Sequence, residues 1–100
     1  MTHTNEELLE FTKDLPRIQC AEVKEYGYYS DPKYFRLPIG YSQLDYEFFV
    51  KSLDFEYDRH YPEIDGFIWF NDGSWAERLE YDGAYRWIYK KLPTIPDYLH

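Results

Sequence analysis

Two Asp-Gly pairs, Asp72-Gly73 and Asp82-Gly83, separate three alternating, aromatic-rich runs: Phe67-Ile68-Trp69-Phe70, Trp75 to Tyr81, and Tyr85-Arg86-Trp87-Ile88-Tyr89. Asp-Gly suits the positive φ angles of a two-residue type I′ turn, so each pair between alternating runs is a strong hairpin signal. Given twice in succession, it predicts a three-stranded antiparallel meander over 67–90.

With two-residue loops at both turns the register follows, and with it the faces, because side chains alternate and opposed residues share a face. Phe70 is expected opposite Trp75, and Arg78 opposite both Phe67 and Trp87. One face then holds Ile68, Phe70, Trp75, Leu79, Tyr81 and Ile88, with Glu77, Arg86 and Lys90. The other holds Phe67, Trp69, Ala76, Tyr85, Trp87 and Tyr89, with Arg78 and Glu80. Both are apolar, whereas an antiparallel sheet usually keeps one face polar. Either two covers lie on opposite faces, or part of one aromatic face is an interaction surface. The expectation is that the aliphatic-containing set is buried. Phe67, Trp69, Tyr85, Trp87 and Tyr89 would then meet a partner or a second copy in a homodimer, since interface hot spots favour Trp, Tyr and Arg.

The rest of the chain supplies helices. Thr4 with Glu7 reads as a capping box, and Leu8, Phe11 and Leu15 recur at helical spacing until Pro16, which places a helix near 5–15. From Arg17 to Tyr29 the residues are strand-like, as one strand or two, with a bulge expected near Glu22. Tyr34-Phe35-Arg36, between turn residues, suits a short edge strand. Ser42 with Asp45 starts a second helix near 43–53, with Tyr41 stapled on Tyr46 and a stripe of Leu44, Phe48, Phe49 and Leu53. Leu53, Phe55 and Tyr57 then alternate with acids, as in a strand. Two prolines in 92–100 forbid helix interior and central strand, leaving an extended arm that packs on the fold. The whole is one α+β domain over 1–100, since 100 residues suffice for one core and not for two.

The formal charge of −8 speaks against direct nucleic-acid binding through phosphate contacts, which needs clustered Lys and Arg; it favours a protein, or a protein–nucleic acid complex, with a basic surface. In an extended segment Asp54, Glu56 and Asp58 project to one side about 7 Å apart, a line of charge resembling a nucleic-acid backbone. Glu63 and Asp65 extend it. The plainer role for these acids is a solvated edge guarded by charge. No EF-hand spacing, zinc motif or phosphate-binding loop is present, so neither metal nor cofactor is expected. Catalysis is not expected either. His3 and His100 lie at termini expected to be mobile, His60 lacks a nucleophile, and Cys20, in an expected strand, reads as a small buried thiol. With one cysteine, no signal-peptide pattern and no apolar run of about 20 residues, the expected place is the cytoplasm, without membrane association.

Leu53-Asp54-Phe55-Glu56-Tyr57-Asp58, Gly66-Phe67-Ile68-Trp69-Phe70, Asp72-Gly73-Ser74-Trp75, Arg78, Glu80-Tyr81-Asp82-Gly83, Trp87 and the closing Pro93 and Ile95-Pro96 resemble a group of small, mostly uncharacterised proteins encoded by tailed bacteriophages. The resemblance covers roughly the second half. It implies a phage source and a host cytoplasm, and no particular activity. For a short acidic phage protein, the role best matched by charge is blocking a host defence complex that binds nucleic acid, in the manner of anti-CRISPR or anti-restriction DNA mimics. The alternative is a non-catalytic accessory module that binds a protein through the aromatic sheet.

Overall fold

The structure is a computed structural model that describes residues 2–26, 31–57 and 63–100. Five antiparallel strands form one sheet in the order β3-β2-β5-β6-β7: β2 (Ile18–Glu25), β3 (Lys33–Leu37), β5 (Ile64–Phe70), β6 (Trp75–Tyr81) and β7 (Ala84–Lys90). Two helices accompany it, α1 (Thr4–Thr12) and α2 (Gln43–Ser52). A two-stranded ribbon, β1 (Thr2–His3) on β4 (Glu56–Tyr57), ties the N-terminus to the segment that follows α2. The fold is α+β, as the pattern predicts, with β3 as the expected edge strand.

The second hairpin forms as expected. Tyr81 pairs with Ala84 around Asp82 and Gly83, both at positive φ (53° and 82°), and Arg78 faces Trp87. The first does not. Phe70 N–H donates to the Ser74 carbonyl and Gly73 N–H to that of Phe70, so the loop has three residues, Asn71, Asp72 and Gly73. Gly73 (φ 88°) takes the left-handed position of a turn followed by a bulge. Asp72 Oδ1 accepts from both the backbone N–H and the hydroxyl of the buried Ser74, which stabilises this longer loop. Trp69 therefore opposes Trp75, and Phe67 opposes Glu77 instead of Arg78.

That one-residue slip moves β5 to the other side relative to β6 and β7, so both expected face sets are wrong in part. The inner face holds Ile18, Ala21, Val23, Leu37, Ile64, Ile68, Phe70, Ala76 and Trp87, all buried in one cluster, with Phe35 and Tyr89 packed against it. Trp87, 6% exposed, is core and not interface. Tyr89 is half-buried, meeting Phe70 edge-on at 5.6 Å. Trp75, Leu79 and Ile88 lie on the outer face with Phe67 and Trp69.

Both helices cover the inner face. From α1, Leu8 is buried and Phe11 stacks on Trp87 at 6.3 Å; from α2, Phe49 and Leu53 are buried while Tyr46 and Val50 pack beside them. The buried stripe of α2 thus runs through 46, 49, 50 and 53, at helical spacing. Leu44 and Phe48, expected in that stripe, lie on another flank and are both 76% exposed. The Ser42/Asp45 capping box and the Tyr41–Tyr46 ring contact (6.0 Å) form as expected. The Thr4/Glu7 box does not. His3 is the cap residue, and the first N–H groups of α1 are taken by carbonyls beyond α2: Thr4 by Phe55 (2.9 Å) and Asn5 by Leu53 (3.0 Å). Those carbonyls satisfy donors that a capping side chain would otherwise serve, which frees Glu7 to reach the sheet.

Three smaller expectations also change. Arg17 to Tyr26 holds one strand, whose register shifts between Ile18 and Cys20 and not near Glu22. Cys20 is half-buried on the Trp69 side, and desolvation raises its thiol pKa. The proline-containing tail, ending in a short 3-10 turn at Asp97–Leu99, leaves Leu92, Ile95 and Leu99 exposed and buries none of its side chains.

Two outcomes follow for the first hairpin. Gly73→Val should destabilise the protein by about 1–2 kcal/mol in urea unfolding, because a β-branched residue resists positive φ. Ser74 hydrogen bonds, from side chain and then backbone, hold the Asp72 carboxyl below its usual range. The stability it contributes is therefore present above the ordinary Asp pKa and lost as pH falls through the depressed one. The difference in melting temperature between Asp72→Ala and the parent should be largest near neutrality and vanish in strong acid.

Candidate functional site

Among the described residues no helix packs on the outer face of the sheet, since α1 and α2 both pack on the inner side. Strand alternation turns Tyr34, Arg36, Cys20, Glu22, Lys24, Asp65, Phe67, Trp69, Trp75, Glu77, Leu79, Arg86, Ile88 and Lys90 to this side. At its centre Phe67 and Trp69 stack at 5.6 Å with planes 20° apart, and Trp75 is the cross-strand partner of Trp69. Phe67, Trp69 and Leu79 are 40%, 41% and 38% exposed. An aromatic centre of this kind, next to charged residues, is the composition that interfaces favour.

The charged surround is internally paired. Arg36 Nε meets Glu22 Oε2 at 2.6 Å, and Lys90 meets Glu77. Lys24 Nζ sits 4.6 Å from the Tyr26 ring centroid, Arg36 Cζ 4.7 Å from that of Tyr34, and Arg86 Cζ 5.4 Å from that of Tyr81. Four cations and three carboxylates on this side leave it close to neutral within a chain of net −8. An approaching acidic protein meets less repulsion here than the net charge implies.

The expected aromatic site is thus divided. Phe67 and Trp69 are brought together on the open face; Trp87 and Tyr89 belong to the core, and Tyr85, half-buried, turns to the inner side with them. Trp75, Leu79 and Ile88 replace them, which the two-residue loop assumption concealed. The acidic set is divided too. Asp54 and Glu56 are exposed and converge on one imidazole: His3 Nε2 is 3.1 Å from Asp54 Oδ1, and its Nδ1 is 4.0 Å from Glu56 Oε1. His3 is therefore held in the ribbon, contrary to the expectation of a mobile terminus. Asp58 and His60 lie outside the described residues. Glu63 precedes β5, where its carbonyl accepts from Tyr26 N–H at 2.9 Å. Asp65 stands on the main sheet, with one oxygen accepting from Gly66 N–H and the other from the Tyr26 hydroxyl. The four acids among the described residues, Asp54, Glu56, Glu63 and Asp65, do not form one line on one strand.

Among the described residues no group of three or more His, Cys, Asp or Glu side chains is arranged to hold a metal ion, and no helix is long and apolar enough to cross a membrane. Comparison with protein-family models, curated proteins and solved structures finds no match for this chain.

The two tryptophans of the original aromatic set should separate cleanly. Trp87→Ala should cost about 3–5 kcal/mol, as for a core aromatic deletion. Trp69→Ala should cost roughly 1 kcal/mol, the scale of a lost cross-strand pair. Thermal and urea unfolding of both variants provide the check.

Proposed function

We propose that the protein acts by binding and not by catalysis, as a small accessory module that docks on another protein through the open face of its sheet. The observation that carries this is the exposed Phe67–Trp69 stack, with Trp75, Leu79 and Ile88 around it, on a face that neither helix covers. The resemblance of the second half to small phage-encoded proteins supports a phage source, and with it a partner in the host cytoplasm. The near balance of charge on this face lets it meet a partner that the chain's other acids would not attract.

A second reading has its own support. The exposed carboxylates of Asp54 and Glu56 project together on the β1–β4 ribbon, in a chain of net −8. On this reading the protein is an acidic inhibitor of a host defence complex, of anti-CRISPR or anti-restriction type, with Asp54, Glu56 and Asp58 in place of phosphates. Such binding weakens steeply with salt.

Measuring DNA binding by candidate CRISPR and restriction complexes, with and without the protein, separates the two. If the open face binds, Phe67→Ser with Trp69→Ser abolishes inhibition while Asp54→Asn, Glu56→Gln and Asp58→Asn together leave it intact. The reverse pattern, with strong salt dependence, supports mimicry and overturns the open-face reading. Light scattering on the parent tests whether a second copy takes the face instead.

A further inference from the structure

The sheet is forked. Pairing between β5 and β6 stops at Phe67 and Glu77, although β5 continues along β2 to Ile64 and β6 continues along β7 to Tyr81. Continuing the register would set Gly66 against Arg78 and Ile64 against Glu80, and neither pair forms. Phe70 N–H points to β6, so by alternation the backbone groups of Ile64 and Gly66 point the same way. Gly66 N–H finds Asp65 Oδ1 at 2.8 Å in place of a strand partner. Ile64 has no partner in β6.

A cavity of about 610 Å³ occupies the fork. Ile64 and Tyr85, of the inner side, line it together with Phe67 and Leu79, of the outer side, so it passes between the strands instead of lying on the sheet. Arg78 also lines it and is held by Glu7 and by the Tyr85 carbonyl (3.0 Å). Tyr26, Asp65, Glu77 and Glu80 complete the wall. Neither Asp65 nor Glu80 has an ion-pair partner among the described residues, whereas Glu77 has Lys90.

We propose that this fork is a docking slot for a short extended segment of a basic partner protein, which adds its main chain between β5 and β6 and presents Arg or Lys heads to the carboxylates that line it, Asp65 from the outer side and Glu80 from the inner side. The proposal rests only on the reading that the protein acts by binding another protein; it places a basic partner at the fork, a different site from the near-neutral open face. Unpaired strand edges accept an extended chain through main-chain hydrogen bonds, and flanking pockets select its side chains. The walls suit a basic side chain along its whole length. Phe67, Leu79 and the two tyrosine rings take the methylene stem, and the carboxylates take the cationic head through charge-assisted bonds. An acidic segment would set like charge against Asp65 and Glu80, and a purely apolar one would add no cation beside them. The net charge of −8 draws a basic segment in.

The test uses the full chain, isotope-labelled, titrated with a capped Arg-Val-Arg-Val-Arg peptide and with its Glu-Val-Glu-Val-Glu counterpart. The Arg peptide is expected to bind at least about tenfold more tightly. It should shift and protect from hydrogen exchange the amides of Ile64, Gly66 and Glu80. Asp65→Asn with Glu80→Gln, both on side chains outside the buried core, should reduce its affinity about tenfold. Equal binding of the two peptides, an unaltered affinity in the double variant, or amide responses confined to other strands would overturn the slot. Trp69 does not line the fork, so Trp69→Ser probes the open face alone. Loss of inhibition in Trp69→Ser with no response to the Arg peptide defeats the slot and leaves the open-face reading standing. Peptide protection at Ile64 and Glu80 with Trp69→Ser still inhibiting supports the slot and defeats the open face.

Discussion

A guanidinium sealed beneath the sheet organises this molecule. Arg78 is 5% exposed, pairs with Glu7 of α1, donates to the Tyr85 carbonyl and lies over the Trp87 ring at 5.4 Å. A buried charge is expensive unless it is paired and hydrogen-bonded, so α1 must lie where Glu7 can reach it. That position also brings Phe11 onto Trp87 and Leu8 into the core. The pair thus selects the inner face and removes Trp87 from any surface role.

The open face is the complement of that choice. With both helices drawn to the inner side, the aromatic centre of the outer side has no helix over it among the described residues, and the paired cations and carboxylates around it maintain a wettable surface. The same asymmetry bears on the edges. β3 carries Lys33 and Arg36, charges that discourage unplanned strand pairing along that edge. The fork between β5 and β6 is the interior counterpart, an interruption in the ladder flanked by carboxylates.

Much of the architecture is local and was legible. Ser42 with Asp45 marks the start of α2, and Tyr41 staples on Tyr46, because a capping box and its staple need only neighbours in sequence. Asp82-Gly83 specifies a type I′ turn through its own φ angles, and the Arg78–Trp87 register follows from it. The apolar positions of α1 and the edge position of β3 are read with equal directness from spacing and from flanking turn residues.

What lay beyond the sequence are the choices between two locally acceptable states. Asn71-Asp72-Gly73 suits a two- or a three-residue loop, and the buried Ser74, bonded to Asp72, selects the longer one; a single residue of slip then exchanges the faces of β5. Thr4 and Glu7 are competent for a capping box, but carbonyls from beyond α2 supply the acceptors while Arg78 takes the Glu7 carboxylate. Leu44 and Phe48 satisfy helical periodicity as well as Tyr46 and Val50 do, and only the position of α2 against β3 decides which flank is buried. The sequence by itself determined the secondary elements, the meander and the net charge, because these depend on residues within a few positions of one another. The tertiary structure alone decided which aromatic face is core, which is open and where the ladder divides, because those depend on a long-range buried ion pair and on a one-residue difference in register.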